Sequence, residues 1–163
     1  MKKAIGLGIS VDDLKNPPIV ALSSSSTRSK DWDDVLTAHA EDSSARTWRV
    51  QDKRLGEHMF EMEDGGAVQA VCVTQCGNFG LAGSSTGEIR MWNMQSGKER
   101  KSFALQGPAP GNSKPKIIAA TAKTKKGKTK AVTKTMEAIT GLATDALNTT
   151  VIASSLEGKL YVS

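Results

Sequence analysis

The chain has 163 residues, of which 38% are hydrophobic, 4% aromatic and 24% charged, and its formal net charge is +5. This length suits one domain, but the aromatic content is low for a hydrophobic core that is stable without neighbouring protein structure. The absence of an apolar run of about 18 residues excludes a membrane-spanning helix, and a chain with two cysteines is not a disulfide scaffold.

The first 17 residues predict a connection rather than a strand of a folded unit. Met1–Gly8 is basic and then briefly apolar, but Asp12 and Asp13 follow too soon for a secretory signal. Ser10 suits the N-cap of a short helix, which Pro17 would end. We therefore expect a cytosolic or nuclear protein.

Residues 67–103 predict one four-stranded blade of a β-propeller. Apolar and polar residues alternate in short segments that Gly-bearing turns separate, the pattern of an all-β blade. The predicted strands begin at Val68, Phe79, Glu88 and Lys98. A single blade cannot bury both of its faces, so this segment predicts repetition.

Two internal repeats support the blade. A displacement of 44 residues places Trp48 on Trp92, Ala38 on Ala82 and Gln51 on Gln95. A displacement of 71 residues places Ala82–Ile89 on Ala153–Leu160, and Val68 and Val71 on Ile139 and Leu142. The first period agrees with the roughly 40–45 residues of a WD-type blade.

The repeats predict about three blades, whereas propellers close with about 4–8. The predicted fold class is therefore all-β, a partial WD-repeat propeller. The Trp-Asp dipeptide is replaced by Trp48-Arg49 and Trp92-Asn93, and a β-sandwich with coincidental tryptophan spacing is the alternative. The sequence stops within the third strand of the last predicted blade, where we do not expect a domain to end.

A basic insertion interrupts the blades. Residues 106–136 carry eight lysines and no acid, and the rest of the chain carries 14 basic and 17 acidic residues, a net charge of −3. Pro108 and Pro110 open the insertion as a chain breaker, and its Thr/Lys/Ala tract has few groups able to pack. We expect this tract to be mobile in isolation.

Two functions and one neutral interpretation remain open for the insertion, and a third function is rejected. Lysines neutralise nucleic-acid phosphates without sequence preference, and the candidate RNA contacts are Lys123, Lys125, Lys126, Lys128 and Lys130. The same lysines resemble a nuclear localisation core, or form a solvated loop. Gly127-Lys128-Thr129 matches the end of a phosphate-binding loop, but Ala122 replaces the required glycine, and we reject nucleotide binding.

The remaining polar residues predict no catalytic or metal site. Cys72 and Cys76 lack the paired spacing of zinc ligands, and His39 and His58 lie far away in sequence. We expect both cysteines to be packing residues. No nucleophile–base set stands out, so we expect no enzyme activity, cofactor, metal or small-molecule substrate.

The run Asp31–Asp34 places acids around Trp32, just before a predicted strand. It either fixes a turn or presents an edge to a partner. We expect Trp32, Trp48 and Trp92 to lie in the blade cores rather than to stack on a ligand.

Four motifs occur in a characteristic order: Lys30–His39, Ala45–Trp48, Gln75–Gly80 and Asn93–Gly97. As a series they resemble the WD-repeat protein 36 family, which is also called U three protein twenty-one. Generic WD repeats do not carry Lys-Asp-Trp-Asp followed by Ala-Arg-Thr-Trp. The resemblance covers about residues 28–103 strongly and 136–163 loosely.

The resemblance implies assembly rather than chemistry. Family members are similar to two tandem propellers with a C-terminal helical domain, and this chain matches the opening of the second propeller. They are subunits of the UTP-B module of the small-subunit processome. They act in nucleolar maturation of pre-18S ribosomal RNA, and hence in 40S ribosome biogenesis, within the U3 small nucleolar ribonucleoprotein.

The implied role is therefore that of a non-catalytic scaffold in the nucleus and nucleolus. The implied partners are other propeller subunits of UTP-B, such as the periodic tryptophan protein, with U3 snoRNA and pre-rRNA in the same particle. No membrane partner is implied. A direct RNA-binding module that works through the lysine insertion is the alternative, and the insertion has no clear place in the family's blade pattern.

These observations predict four segments. Residues 1–17 form the N-terminal connection, and residues 18–105 form two blades. Residues 106–135 form the basic insertion, and residues 136–163 begin a further blade.

Overall fold

The computed structural model describes residues 15–106, 115–120 and 136–163. These residues form β-strands and one turn of 3-10 helix, Ser26–Arg28, as the predicted all-β class requires. The strands are β1 Ile19–Ser24, β2 Val35–His39, β3 Ser44–Arg49, β4 Arg54–Glu61, β5 Val68–Val73, β6 Phe79–Ser84, β7 Glu88–Asn93, β8 Glu99–Gln106, β9 Lys116–Ala120, β10 Ile139–Thr144, β11 Val151–Ser155 and β12 Leu160–Val162. The short helix expected near Ser10 lies outside the described residues.

The strands form three blades. Blade 1 is an antiparallel sheet of order β1-β2-β3-β4. Blade 2 comprises β5 to β8, and blade 3 comprises β10 to β12. The first strands, β1, β5 and β10, lie side by side with β5 in the middle, which makes them the innermost strands of the arc.

Strand β9 lies within the range predicted as the basic insertion. It pairs with β8 over five antiparallel positions, from Ser102 opposite Ala120 to Gln106 opposite Lys116, and with β12 through Lys116 opposite Val162. Ile117 of β9 is 5% exposed and belongs to the core, so this part of the range packs against the blades. Blade 2 thereby gains a fifth strand that joins it to blade 3.

Two hydrophobic clusters fill the spaces between the blades. Between blades 1 and 2, the ring of Phe60 stacks on that of Trp92, with centroids 4.9 Å apart and planes 3° apart. Between blades 2 and 3, the cluster includes Leu81, Ile139 and Tyr161, each with 0% of its surface exposed. Each blade therefore packs against its neighbour through side chains that alternate along the strands, as the sequence predicted.

The 44-residue repeat is correct for the third strands but not for the second strands. Arg46 pairs with Thr37, whereas Arg90 pairs with Ala82, so the predicted match of Ala38 with Ala82 is wrong by one residue. The cause is the connection between second and third strands, which has four residues in blade 1 and three in blade 2. A one-residue shift along a strand turns a side chain to the opposite face of its sheet. Ala38 therefore faces blade 2 and Ala82 faces blade 1, and both lie in the cluster between these blades.

The 71-residue repeat is confirmed by the strand pairing. Ala82 lies between Val71 and Arg90 in blade 2, and Ala153 lies between Leu142 and Tyr161 in blade 3. The insertion therefore separates two blades whose first three strands correspond in register.

Candidate protein-binding surface

The five lysines predicted to contact RNA all lie outside the described residues. They are Lys123, Lys125, Lys126, Lys128 and Lys130. Their role stays a prediction. Of the eight lysines in the insertion, the structure describes Lys116, whose side chain is exposed in β9.

The loop that follows β1 holds the turn between β5 and β6 by three hydrogen bonds. Ser25 Oγ and Thr27 Oγ1 donate to the carbonyl oxygen of Gln75, at 3.0 and 2.7 Å. Trp32 Nε1 donates to the carbonyl oxygen of Gly77 at 2.9 Å. Gly77 has a φ of +71°, a left-handed backbone conformation that glycine adopts without the steric clash that a Cβ atom would cause.

Blade 3 holds the same turn from the other side. Asn148 Nδ2 donates to Cys76 Sγ at 3.2 Å. Burial alone would raise the pKa of Cys76, but hydrogen bonds from Thr74, the Asn78 backbone and Asn148 outweigh it and lower the pKa. We call the end of the arc formed by residues 25–34, 74–78 and 145–150 the clasp end, because its hydrogen bonds tie three blades together.

The acids after Trp32 fix a turn, one of the two interpretations of the sequence. Asp33 Oδ2 accepts hydrogen bonds from Thr47 Oγ1 and from the Glu57 amide, each at 2.7 Å. Asp34 Oδ1 accepts one from the Val50 amide at 3.0 Å. Both carboxylates are buried in blade 1, so neither offers an edge to a partner.

The predicted cysteine and tryptophan roles agree with the packing in part. Cys72 lies in the core between blades 2 and 3, where burial raises the pKa of its thiol, and Cys76 lies in a turn. Trp92 is buried and Trp32 packs against the same cluster. Trp48 instead lies half-buried on the outer face of blade 1, where its Nε1 donates to Thr37 Oγ1 at 2.7 Å.

Two clefts open between blades at the clasp end, and they differ in charge. The cleft between blades 1 and 2, about 180 Å³, is lined by three carboxylates together with Arg49 and His58. The cleft between blades 2 and 3, about 210 Å³, is lined by Lys101 and by no Asp or Glu side chain among the described residues. Sequence reasoning missed Lys101, because the β-bulge that positions it leaves no signal in the residue pattern.

The outer faces of blades 1 and 3 are apolar and exposed. On blade 1, Leu22, Leu55 and Met59 are 66%, 47% and 56% exposed. On blade 3, Leu160 and Val162 are 60% and 41% exposed. Such surfaces mark contact sites for further protein.

Charged clusters at the opposite end have structural roles. Arg90 is nearly buried and forms ion pairs with Glu63, Glu88 and Glu99, at 2.5, 2.9 and 2.8 Å.

In the described ranges, no group of three or more His, Cys, Asp or Glu side chains could hold a metal ion. No helix among these residues is long and apolar enough to cross a membrane.

Three antiparallel blades, whose first strands β1, β5 and β10 lie side by side, define a WD-type β-propeller segment. The crystal structure of the C-terminal WD40 domain of Sif2 is similar, with a TM-score of 0.55 over 88% of this chain and 33% of that one. At 13% identity this similarity shows the fold alone.

Residues 2–162 match the family model for the WDR36/Utp21 second beta-propeller domain. The chain belongs to this family, which confirms the resemblance that the motifs indicated. The match also confirms that the chain corresponds to the second propeller.

Curated relatives agree with this assignment. The chain is 56% identical over 103 residues to the U3 small nucleolar RNA-associated protein 21 homolog of Schizosaccharomyces pombe, covering 63% of this chain and 11% of that protein. It is 34% identical over 144 residues to U3 small nucleolar RNA-associated protein 21 of Saccharomyces cerevisiae, covering 88% and 12%. It is 35% identical over 91 residues to human WD repeat-containing protein 36, covering 53% and 10%. The chain thus spans about a tenth of the length of each relative.

Proposed function

We propose that this chain acts as a non-catalytic scaffold in a U3 small nucleolar ribonucleoprotein, supporting pre-18S rRNA processing and 40S ribosome biogenesis in the nucleolus. The observation that carries this proposal is membership of the WDR36/Utp21 second-propeller family, two of whose relatives are named as U3 small nucleolar RNA-associated proteins. The proposed partners are other propeller subunits of the UTP-B module.

The geometry supports a scaffold rather than a catalyst. The charged groups with several polar partners make their contacts within the blades. Arg90 pairs with Glu88 and Glu99, and Asp33 accepts a hydrogen bond from the Glu57 amide. Five exposed apolar residues lie on the two outer blade faces: Leu22, Leu55, Met59, Leu160 and Val162. Surfaces of this kind bind other proteins by burying apolar area.

The proposed function is tested by co-purification from cells. An affinity-tagged form of the protein should recover U3 snoRNA and propeller proteins, with a spliceosomal RNA as the background control. Depletion of the protein should reduce the ratio of mature 18S rRNA to its precursor. Recovery of U3 snoRNA at the background level would contradict the proposal.

The lysine tract supports direct RNA contact as a second candidate, because eight lysines occur there without an acid. In the test variant, glutamine replaces Lys123, Lys125, Lys126, Lys128 and Lys130. If these lysines contact RNA, the variant should bind single-stranded RNA more weakly than the unaltered protein. Its affinity should also depend less on salt, with the log–log slope reduced by about 0.7–0.9 for each lost phosphate contact. The scaffold proposal requires that propeller proteins still co-purify, because their binding depends on packed blade surfaces.

A further inference from the structure

Asp33 leaves one carboxylate oxygen open in the cleft between blades 1 and 2. Although it presents no edge to a partner and is only 4% exposed, Asp33 lines this cleft of about 180 Å³ at the clasp end. Its Oδ2 accepts hydrogen bonds from Thr47 Oγ1 and the Glu57 amide. Its Oδ1 accepts none from the described residues, and the protein does not close this atom off from solvent. The second oxygen of a nearly buried carboxylate is therefore accessible from the cleft.

The charge of Asp33 is not neutralised within the described residues, where it forms no ion pair. The other charged groups that line the cleft each lie close to a partner of opposite sign: Asp31 to Arg28 at 3.4 Å, Glu57 to Arg54 at 3.9 Å and Arg49 to Asp52 at 3.2 Å. A nearly buried carboxylate without a counter-ion is unfavourable. A cation supplied by another molecule would therefore gain affinity by pairing with Asp33.

The remaining lining residues suit one long side chain with an aliphatic stem. Met94 is fully buried and Trp32 is half-buried, so both offer apolar surface to such a stem. His58 is engaged with the carbonyl oxygen of Gln95, to which its Nε2 donates at 3.0 Å. Sites for drug-sized ligands measure about 300–1,000 Å³. A cleft of about 180 Å³ therefore admits a single side chain rather than a larger molecule.

These features together select the guanidinium group of arginine. Its planar fork of five N–H donors can bind Asp33 and a carboxylate at the rim of the cleft at the same time. A lysine ammonium group is a compact, strongly hydrated point charge that lacks this geometry. A nucleic-acid phosphate would be repelled by the three lining carboxylates. The residues outside the described ranges contain no arginine, so the occupant comes from another polypeptide.

We propose that the cleft between blades 1 and 2 binds an arginine side chain of a protein partner, with its guanidinium group paired to Asp33. This inference rests on the proposed scaffold function, and it names a residue type that one partner contributes. Arginine side chains that enter desolvated pockets carry a large share of the binding energy at protein interfaces. The partner would thereby contact both blades that line the cleft.

The probe is a fluorescein-labelled peptide of three arginines separated by glycine and serine, titrated with the full chain in an anisotropy assay. Two reference peptides carry lysine or uncharged citrulline in place of arginine, and both should bind more weakly. Asp33→Asn should weaken binding of the arginine peptide about tenfold, the effect of one charged hydrogen bond. The amide keeps the shape of the side chain and an oxygen for Thr47 and the Glu57 amide, but it removes the charge.

The matched control is a pair of substitutions on strand β4. Glu57→Gln removes an exposed carboxylate that lines the cleft, and should weaken binding by less than about fivefold, the effect of an exposed ion pair. Glu61→Gln removes an exposed carboxylate outside the cleft, and should leave binding unchanged. If circular dichroism shows that Asp33→Asn does not fold, the comparison of these two variants decides between a cleft site and general attraction.

The inference is overturned if Glu61→Gln weakens binding as much as Asp33→Asn or Glu57→Gln does, since the effect would then be general electrostatics. It is also overturned if the lysine or citrulline peptide binds as tightly as the arginine peptide. Recovery of U3 snoRNA by the tagged protein tests the proposed function separately. Failure of this inference and failure of the proposed function are therefore distinguishable.

Discussion

Asp33 joins the loop before β2 to both β3 and β4 through one carboxylate oxygen. Its Oδ2 accepts from Thr47 Oγ1 of β3 and from the Glu57 amide of β4. Gly56 makes this arrangement possible, because a Cβ at that position would overlap both Asp33 Oδ2 and Thr47 Oγ1. The glycine is therefore required by close approach rather than by an unusual backbone angle.

This arrangement predicts coupling between Gly56 and Asp33. Gly56→Ala should reduce the free energy of unfolding by about 1–3 kcal/mol, because the methyl group displaces a buried hydrogen-bonded carboxylate. Asp33→Ala should cost about 1–3 kcal/mol by leaving buried donors unpaired. In the double variant, the cost of Gly56→Ala should fall by about 1 kcal/mol, since the carboxylate is already gone. Strictly additive losses in urea titration would contradict the steric explanation.

At the residue scale, the sequence indicated that the acids around Trp32 could fix a turn, because Asp accepts backbone hydrogen bonds in turns. It could not indicate that Trp32 reaches Gly77, or that Asn148 reaches Cys76, since residues 45 and 72 positions apart meet only after the blades pack. The position of Lys101 at the cleft between blades 2 and 3 was equally invisible, because it depends on a bulge in one strand pair.

At the scale of single elements, β9 joins blades 2 and 3 by pairing with both β8 and β12. Ile117 of β9 is buried in the cluster between these blades, whereas Lys116 beside it is exposed. Ile117→Ala should reduce the free energy of unfolding by about 2–5 kcal/mol, the cost of removing a buried aliphatic side chain. Lys116→Ala is the matched control on the same strand, with an expected change of about 0.5 kcal/mol or less. Equal effects of the two substitutions in urea titration would show that β9 does not contribute its apolar side chain to the fold.

A charged cluster gives blade 3 a defined pH dependence. Burial favours the neutral form of Glu137, but hydrogen bonds from Lys159 and Tyr161 outweigh it and lower the pKa of the carboxyl below its ordinary value of 4.5. On the partner side, burial and the bond to Glu137 raise the pKa of Tyr161 to about 12. Lys159 Nζ lies 2.6 Å from Glu137 Oε1, and Glu137 is 6% exposed.

The sign of the Glu137 contribution follows from linkage. A carboxyl whose pKa is lower in the folded state stabilises the fold above 4.5, and the contribution disappears as pH falls through the depressed value. Glu137→Gln should therefore lower the midpoint of thermal unfolding at neutral pH. The difference from the unaltered protein should vanish well below pH 4.5. A difference that persists undiminished in acid would show that packing, rather than charge, explains the effect.

The strands themselves were largely predictable, because alternation and turn glycines are local signals. Gly77, Gly87 and Gly97 all have positive φ at the turns that the sequence indicated. Strand β9 was missed because its short apolar run, Ile117 to Ala120, lies inside a lysine-rich tract without a second strand beside it in sequence. Its partners β8 and β12 are supplied by the packed blades.

For the whole molecule, the repeat periods predicted the number of blades, and the arc of three has two outer faces. Leu22, Thr37, Arg46 and Met59 lie on one face of blade 1, as their strand pairing requires. Leu22 and Met59 are more than half exposed there. The sequence could not indicate which residues would remain exposed, because exposure depends on which faces other blades cover.

These outer faces predict the behaviour of the 163-residue chain on its own. Exposed apolar sheet faces associate with one another, so the chain should self-associate as its concentration rises. Replacement of Leu55 and Met59 by Glu should increase the monomer fraction in light scattering, because it places charge on the outer face of blade 1. Leu147→Glu is the control, since Leu147 is 80% exposed but lies in a turn away from that face. A chain that stays monomeric at high concentration would contradict this prediction, because it would show that the outer faces need no further protein surface.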